Sequence, residues 1–141
     1  MTLEEFEKQL EKFEKDFPEA KKKLVRENGK LLHEKVLENT RRDVGVKTGN
    51  LLKSIELHYG SKGGYAAVRG NHHVAPHLHL IEHGHWMRSG KRPSKKERDT
   101  RPVHGWVNGK HMFANALSDL ADELEGNAQK MMDKLVGDTF G

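Results

Sequence analysis

Cysteine is absent from the chain, which excludes disulfides, thiolate metal sites and cysteine nucleophiles together. Long apolar runs are missing too. No stretch approaches the length of a membrane span or a signal-peptide core, and the first residues are acidic and amphipathic, so the sequence reads as a soluble intracellular product with no membrane partner. Apolar residues fill 34% of the 141 positions and charged residues 33%, which offers little buried surface per residue to a compact monomer. The length suits a single domain (1–141), and the shortage of apolar surface points to support from neighbouring subunits. Catalytic signatures are also lacking. Ser54, Ser61, Ser89, Ser94 and Ser118 have no nucleophile-elbow context, residues 60–64 lack the spacing of a dinucleotide fingerprint, and no His-Glu-x-x-His occurs, so neither an enzyme nor a cofactor is expected.

What is present is charge, unevenly placed. Residues 1–43 carry 11 basic and 11 acidic groups, residues 44–111 carry 12 and 4, and residues 112–141 carry 2 and 6. A basic middle and an acidic C-terminal segment on one small protein suit head-to-tail contacts between identical subunits.

Leu3, Phe6, Leu10, Phe13 and Phe17 recur at steps of three and four, the spacing of an amphipathic helix. Pro18 predicts a kink or restart, after which Ala20, Leu24, Val25, Leu31, Leu32, Val36 and Leu37 continue the pattern to about Arg42, weakened at Asn28-Gly29. Residues 1–43 thus form a helical arm whose phenylalanines pack either on a neighbour or on their own domain. Within residues 44–111, a short helix precedes strands at 55–60 and 65–70 joined by a glycine-rich turn. Residues 76–83 are predicted as a third strand and residues 103–107 as a last edge strand. Residues 88–102 hold two prolines and no aliphatic or aromatic side chain, so they are predicted to form a mobile basic loop. Residues 112–138 form the clearest helix, with Phe113, Ala116, Leu117, Leu120, Leu124, Ala128, Met131 and Leu135 on one stripe. The fold class is α+β: a long N-terminal helical segment, a small mostly antiparallel sheet of three or four strands, and a C-terminal amphipathic helix packed on that sheet.

Nine of the ten histidines fall between His58 and His111. On a strand, His77 and His79 would share one face, as would His83 and His85, and with Glu82 or Asp99 they are the candidate ligands of a histidine-metal nuclease. The alternative is a polar sheet face or subunit interface. Arg88, Lys91, Arg92, Lys95, Lys96, Arg98 and Arg101 form a run that attracts phosphates without reading sequence, flanked by Trp86 and Trp106, which can stack on bases. A small basic nucleic-acid-binding or toxin-like protein is therefore the competing reading.

Three short segments carry a family resemblance. In Val46-Lys47-Thr48-Gly49-Asn50-Leu51-Leu52-Lys53-Ser54-Ile55, Thr48 can cap a helix and the leucines give it an apolar side. In Leu80-Ile81-Glu82-His83-Gly84-His85, an apolar pair precedes a Glu-x-Gly step, where glycine permits a sharp turn after a strand. In His111-Met112-Phe113-Ala114-Asn115-Ala116-Leu117, an aromatic and a small residue open the last helix. Thr48, Gly49, Leu51, Ser54, Glu82, Gly84 and Phe113 match the corresponding motifs, and the chain resembles the neck and tail-completion proteins of long-tailed bacteriophages over residues 40–135. That resemblance implies structural roles for these seven positions and a phage or prophage virion protein at the head-tail junction, assembled in the bacterial host cytoplasm. It also implies a ring homo-oligomer, sixfold in the virion, that docks between head-closure and tail-tube proteins, with the basic loop meeting a neighbour or the DNA in the channel.

Overall fold

The computed structural model describes residues 2–45 and 49–141. Helix α1 (Leu3–Asp43) starts at a capping box in which the Thr2 hydroxyl accepts from the Glu5 amide at 3.2 Å and the Glu5 carboxylate accepts from the Thr2 amide at 3.0 Å. These bonds satisfy amide donors that a helix start leaves orphaned. At 41 residues it is about 60 Å long. It runs through Pro18 without the restart that was one of the two expectations there. Glu14 and Pro18 are both exposed, so the carbonyl deprived of its donor is open to water and the helix absorbs the loss. The arm's aromatics meet one another and the end of the chain: Phe13 stacks on Phe17 and meets Phe140, as does Phe6, which stays 42% exposed.

Helix α2 (Asn50–Ser54) leads into strand β1 (Ile55–Tyr59), which pairs antiparallel with β2 (Ala66–Gly70) across a turn containing a short 3-10 helix. Helix α3 (Leu78–His83) then replaces the expected third strand. Leu78 and Glu82, four apart, are buried and Ile81 joins the core, a helical repeat that wins over the Leu78-His79-Leu80 alternation. Strands β3 (Gly84–Arg88) and β4 (Val103–Asn108) form a second antiparallel pair. The sheet expected as one unit is therefore two separate hairpins, because α3 stands where a bridging strand would have to lie.

Helix α4 (Met112–Phe140) returns antiparallel along α1: Asn39 donates to the Met112 carbonyl, Asn28 to the Leu124 carbonyl, Asn127 to the Asn28 side chain, and Phe6 and Phe13 meet Phe140. This corrects the expected packing of α4 on the sheet. The apolar stripe specifies a buried face without specifying what covers it, and α1 offers a longer partner than either hairpin. The beginning of α4 meets β1 and β2, where Val36, Ile55 and Ala116 form a core flanked by Leu32, Leu37, Val68 and Phe113. Ala75, Leu78 and Met112 form a second core with Val44, Leu51, Ile81 and, again, Phe113.

Asn28-Gly29, read as a weak point, is a crossing point. A Cβ on Gly29 would lie 2.8 Å from that of Ala66 and 3.2 Å from Leu57, so glycine lets α1 approach the first hairpin. Gly29→Ala is therefore predicted to destabilise by about 1–2 kcal/mol despite the better helix propensity of alanine. Gly126→Ala, in α4 with no atom within 4 Å of the added carbon, is predicted to stabilise by about 0.5–1 kcal/mol. Urea denaturation of the pair checks both signs; equal shifts would refute the close-crossing account.

Candidate assembly interface

The start of α4 is where the distant sequence segments converge. Its N-cap, His111, sits in the left-handed region (φ 51°, ψ 42°) and makes no side-chain cap bond, which leaves the first amides of α4 to another partner. Glu82 provides it from α3. The Glu82 carboxylate accepts from the amides of Phe113 at 3.1 Å and Ala114 at 3.2 Å, while the Ile81 and Glu82 carbonyls accept from the amides of Lys110 and His111. A buried carboxylate at a helix N-terminus meets both bare donors and the positive end of the dipole.

Leu51 from α2 and Phe113 from α4 meet in the same core as Ile81. Ser54 is buried and donates to the Leu51 carbonyl at 2.6 Å, closing α2 as the chain enters β1. Gly49 is the N-cap of α2 at φ 79°. Thr48, expected to cap that helix, lies outside the described residues. Gly84 ends α3 at φ 88°, ψ 171° and begins β3, so the Glu-x-Gly step closes a helix and not a strand as expected. Glu82 was legible only as a motif position, since its capping role depends on amides some thirty residues further along.

The histidine cluster does not form in the expected way. His77 precedes α3, His79 and His83 are exposed on it four residues apart, and His85 is on β3. Neither expected same-face strand pair exists, because the segment is helical. Among the described residues no group of three or more His, Asp or Glu side chains is placed to hold a metal. Glu82 is engaged with the α4 amides, and Asp99 with arginine.

The second hairpin carries the exposed chemistry. Trp86 and Trp106 are register partners whose ring centroids lie 5.0 Å apart at 70°, and they remain 57% and 47% exposed. Met87 and Val103 nearby are also exposed. Arg88 belongs to β3 and not to the loop, and it donates to the Arg101 carbonyl at 3.0 Å. Arg101 in turn donates to both oxygens of Asp99 at 3.0 and 2.9 Å. The loop is thus clasped at its base. Among the described residues, Lys91, Arg92, Lys95, Lys96 and Arg98 are exposed and have no carboxylate within ion-pair distance.

The hydrogen bonds from Arg101 hold the Asp99 carboxyl down at about 2, helped by the nearby Arg88 charge. A depressed carboxylate contributes to loop order above its ordinary value near 4 and loses that contribution only as pH falls through its own folded value. The clasp is therefore predicted to persist at pH 4 and open near pH 2. Carboxyl NMR titration of Asp99 checks this; an ordinary midpoint would show that Arg101 does not hold it in solution.

A family model described as "Bacteriophage HK97-gp10, putative tail-component" matches residues 4–84. The chain belongs to this family. No curated protein and no solved structure matches it. The HK97-gp10-like match runs from α1 to the Glu82-x-Gly84 step, and the second hairpin and α4 lie beyond it. Membership gives the chain a structural role in a bacteriophage, with other phage proteins as its partners.

Proposed function

We propose that the protein is a ring-forming neck or tail-completion subunit at the head-tail junction of a long-tailed phage or prophage. It folds as one domain, assembles in the bacterial host cytoplasm and acts without a reaction, metal or cofactor. The family match gives the phage context, and the exposed tryptophan pair carries the further step to assembly. Two half-exposed indoles paired on one face of the hairpin form the kind of apolar anchor that protein interfaces bury at their centre. A sixfold ring docked between head-closure and tail-tube proteins would give the patch a partner.

The competing reading is direct nucleic-acid binding by the five exposed loop cations. Light scattering after size exclusion, over a range of concentration and salt and with and without chelator, separates the two. A salt-tolerant, chelator-insensitive oligomer supports ring assembly through apolar contacts. A monomer that binds DNA with an affinity falling steeply as salt rises supports the competitor, and a chelator-sensitive oligomer would reopen a metal role for the histidines.

A further inference from the structure

The second hairpin and the first half of α4 carry opposite charge on open surfaces. Residues 112–129 contain Asp119, Asp122, Glu123 and Glu125 with no lysine or arginine, and all four acids are exposed. Ala114, Leu117 and Ala121, spaced by three and four, form an exposed apolar strip with Leu117 54% exposed; Asp122 and Glu125 flank one side of it, while Asp119 and Glu123 lie round the helix from it. Residues 88–102 carry seven basic and two acidic groups beside the Trp86–Trp106 pair. Among the described residues no ion pair joins this loop to α4 within one chain, so the complementarity is unused inside the subunit.

We infer that the β3–β4 hairpin of one copy docks on the first half of α4 of a second copy. The tryptophans cover the Leu117 strip, and the loop cations face Asp122 and Glu125 on its flank. Each copy offers a different surface to each neighbour, so the contact is heterologous and closes into a ring when the rotation per subunit permits. The inference rests on the assembly reading above and names the two faces that assembly uses. A protein occupant is favoured over nucleic acid by the indoles themselves. They meet edge to face at 70°, an arrangement that packs one ring against the other and does not present two parallel platforms for stacked bases.

Two charge-reversal variants test the contact, Lys95→Glu/Lys96→Glu/Arg98→Glu in the loop and Asp122→Lys/Glu125→Lys in the helix. Each alone opposes like charges at every interface and is expected to weaken self-association by about tenfold or more. An equimolar mixture restores opposite charges at every contact between unlike copies, and therefore at every contact of an alternating ring, and is expected to recover the wild-type mass. Because the chain has no cysteine, the double variant Ser94→Cys/Ala121→Cys supplies an independent readout in the native charge background: a disulfide between copies at high protein concentration. This second readout holds even if a charge-reversed chain fails to fold. An oligomer indifferent to both reversals, or a mixture that stays dissociated when each variant is folded, overturns the hairpin contact and leaves ring assembly standing. A wild-type chain that stays monomeric, with no crosslink in the cysteine variant, overturns both. Loop reversal that abolishes binding to a DNA duplex without changing self-association assigns the loop to DNA and also overturns the contact.

Discussion

Glu82→Ala is expected to lower the unfolding free energy by about 3 kcal/mol, a large share of what a domain of this size has to spare. The side chain is 7% exposed and its two oxygens each accept from one amide, Phe113 and Ala114. An ordinary N-cap contributes about 0.5–2 kcal/mol. Here the loss is larger because the donors are part-buried and the His111 side chain, at the N-cap, does not replace the carboxylate; a stranded donor costs about 1–3 kcal/mol. Glu82→Gln keeps the shape and one acceptor oxygen while removing the charge, and is expected to lose about half as much. Urea denaturation followed by circular dichroism gives both values, and amide exchange at Phe113 and Ala114 should accelerate in the same order. A loss under about 0.5 kcal/mol for the alanine variant would mean that water caps α4 equally well and that the Glu-x-Gly step owes its form to something else.

The elements legible in the sequence are those long enough for periodicity to be decisive. Helix α1 follows from the Leu3, Phe6, Leu10 spacing and α4 from the stripe through Phe113, Ala116 and Leu120, and the first hairpin follows from two apolar runs around a glycine-rich turn. Helix α3 was misread because Leu78-His79-Leu80 fits a two-residue repeat as well as Leu78, Ile81 and Glu82 fit a helical one. Six residues cannot decide between them. The decision is made from outside the segment, by Met112 and Ala75 covering Leu78 and by the α4 amides claiming Glu82. The histidine reading failed with the strand, since same-face pairing followed only from a period of two.

Helix partners were hidden for a related reason. An apolar stripe records that a face is buried, whereas Asn28, Asn39 and Asn127 record against what. Asparagine within a helical pattern looks like a local weakness, and nothing short-range distinguishes it from a cross-link to a helix ninety residues away. Of the candidate site, the loop charges and both tryptophans were visible from composition alone. Their grouping on one exposed hairpin, with Arg88 and Arg101 withdrawn into a clasp on Asp99, required the β3–β4 register.

Gly84→Ala is expected to be severely damaging, costing about 4 kcal/mol. Two effects add. The backbone at φ 88°, ψ 171° lies where residues other than glycine are strained by about 1–3 kcal/mol. A Cβ there would also stand 2.6 Å from the Val107 carbonyl oxygen, 2.7 Å from the Trp106 ring and 2.9 Å from the Gly109 amide nitrogen. Two of those three atoms are backbone, so side-chain rotation cannot relieve the contact, and overpacking adds about 1–3 kcal/mol more. Relief requires β4 to move away from β3 at the point where the hairpin leaves α3, which would draw Trp106 away from Trp86. The expected result is therefore double: a lowered unfolding midpoint, and a changed near-ultraviolet circular dichroism signal from the indole pair at temperatures where the helices remain intact. Loss of stability with an unchanged indole signal would place the strain inside α3 and leave the hairpin's geometry independent of Gly84. A loss under about 1 kcal/mol would show that the hairpin pivots freely at this residue, and a freely pivoting hairpin would have to order its tryptophans on a partner at an entropic cost that weakens any assembly built on them.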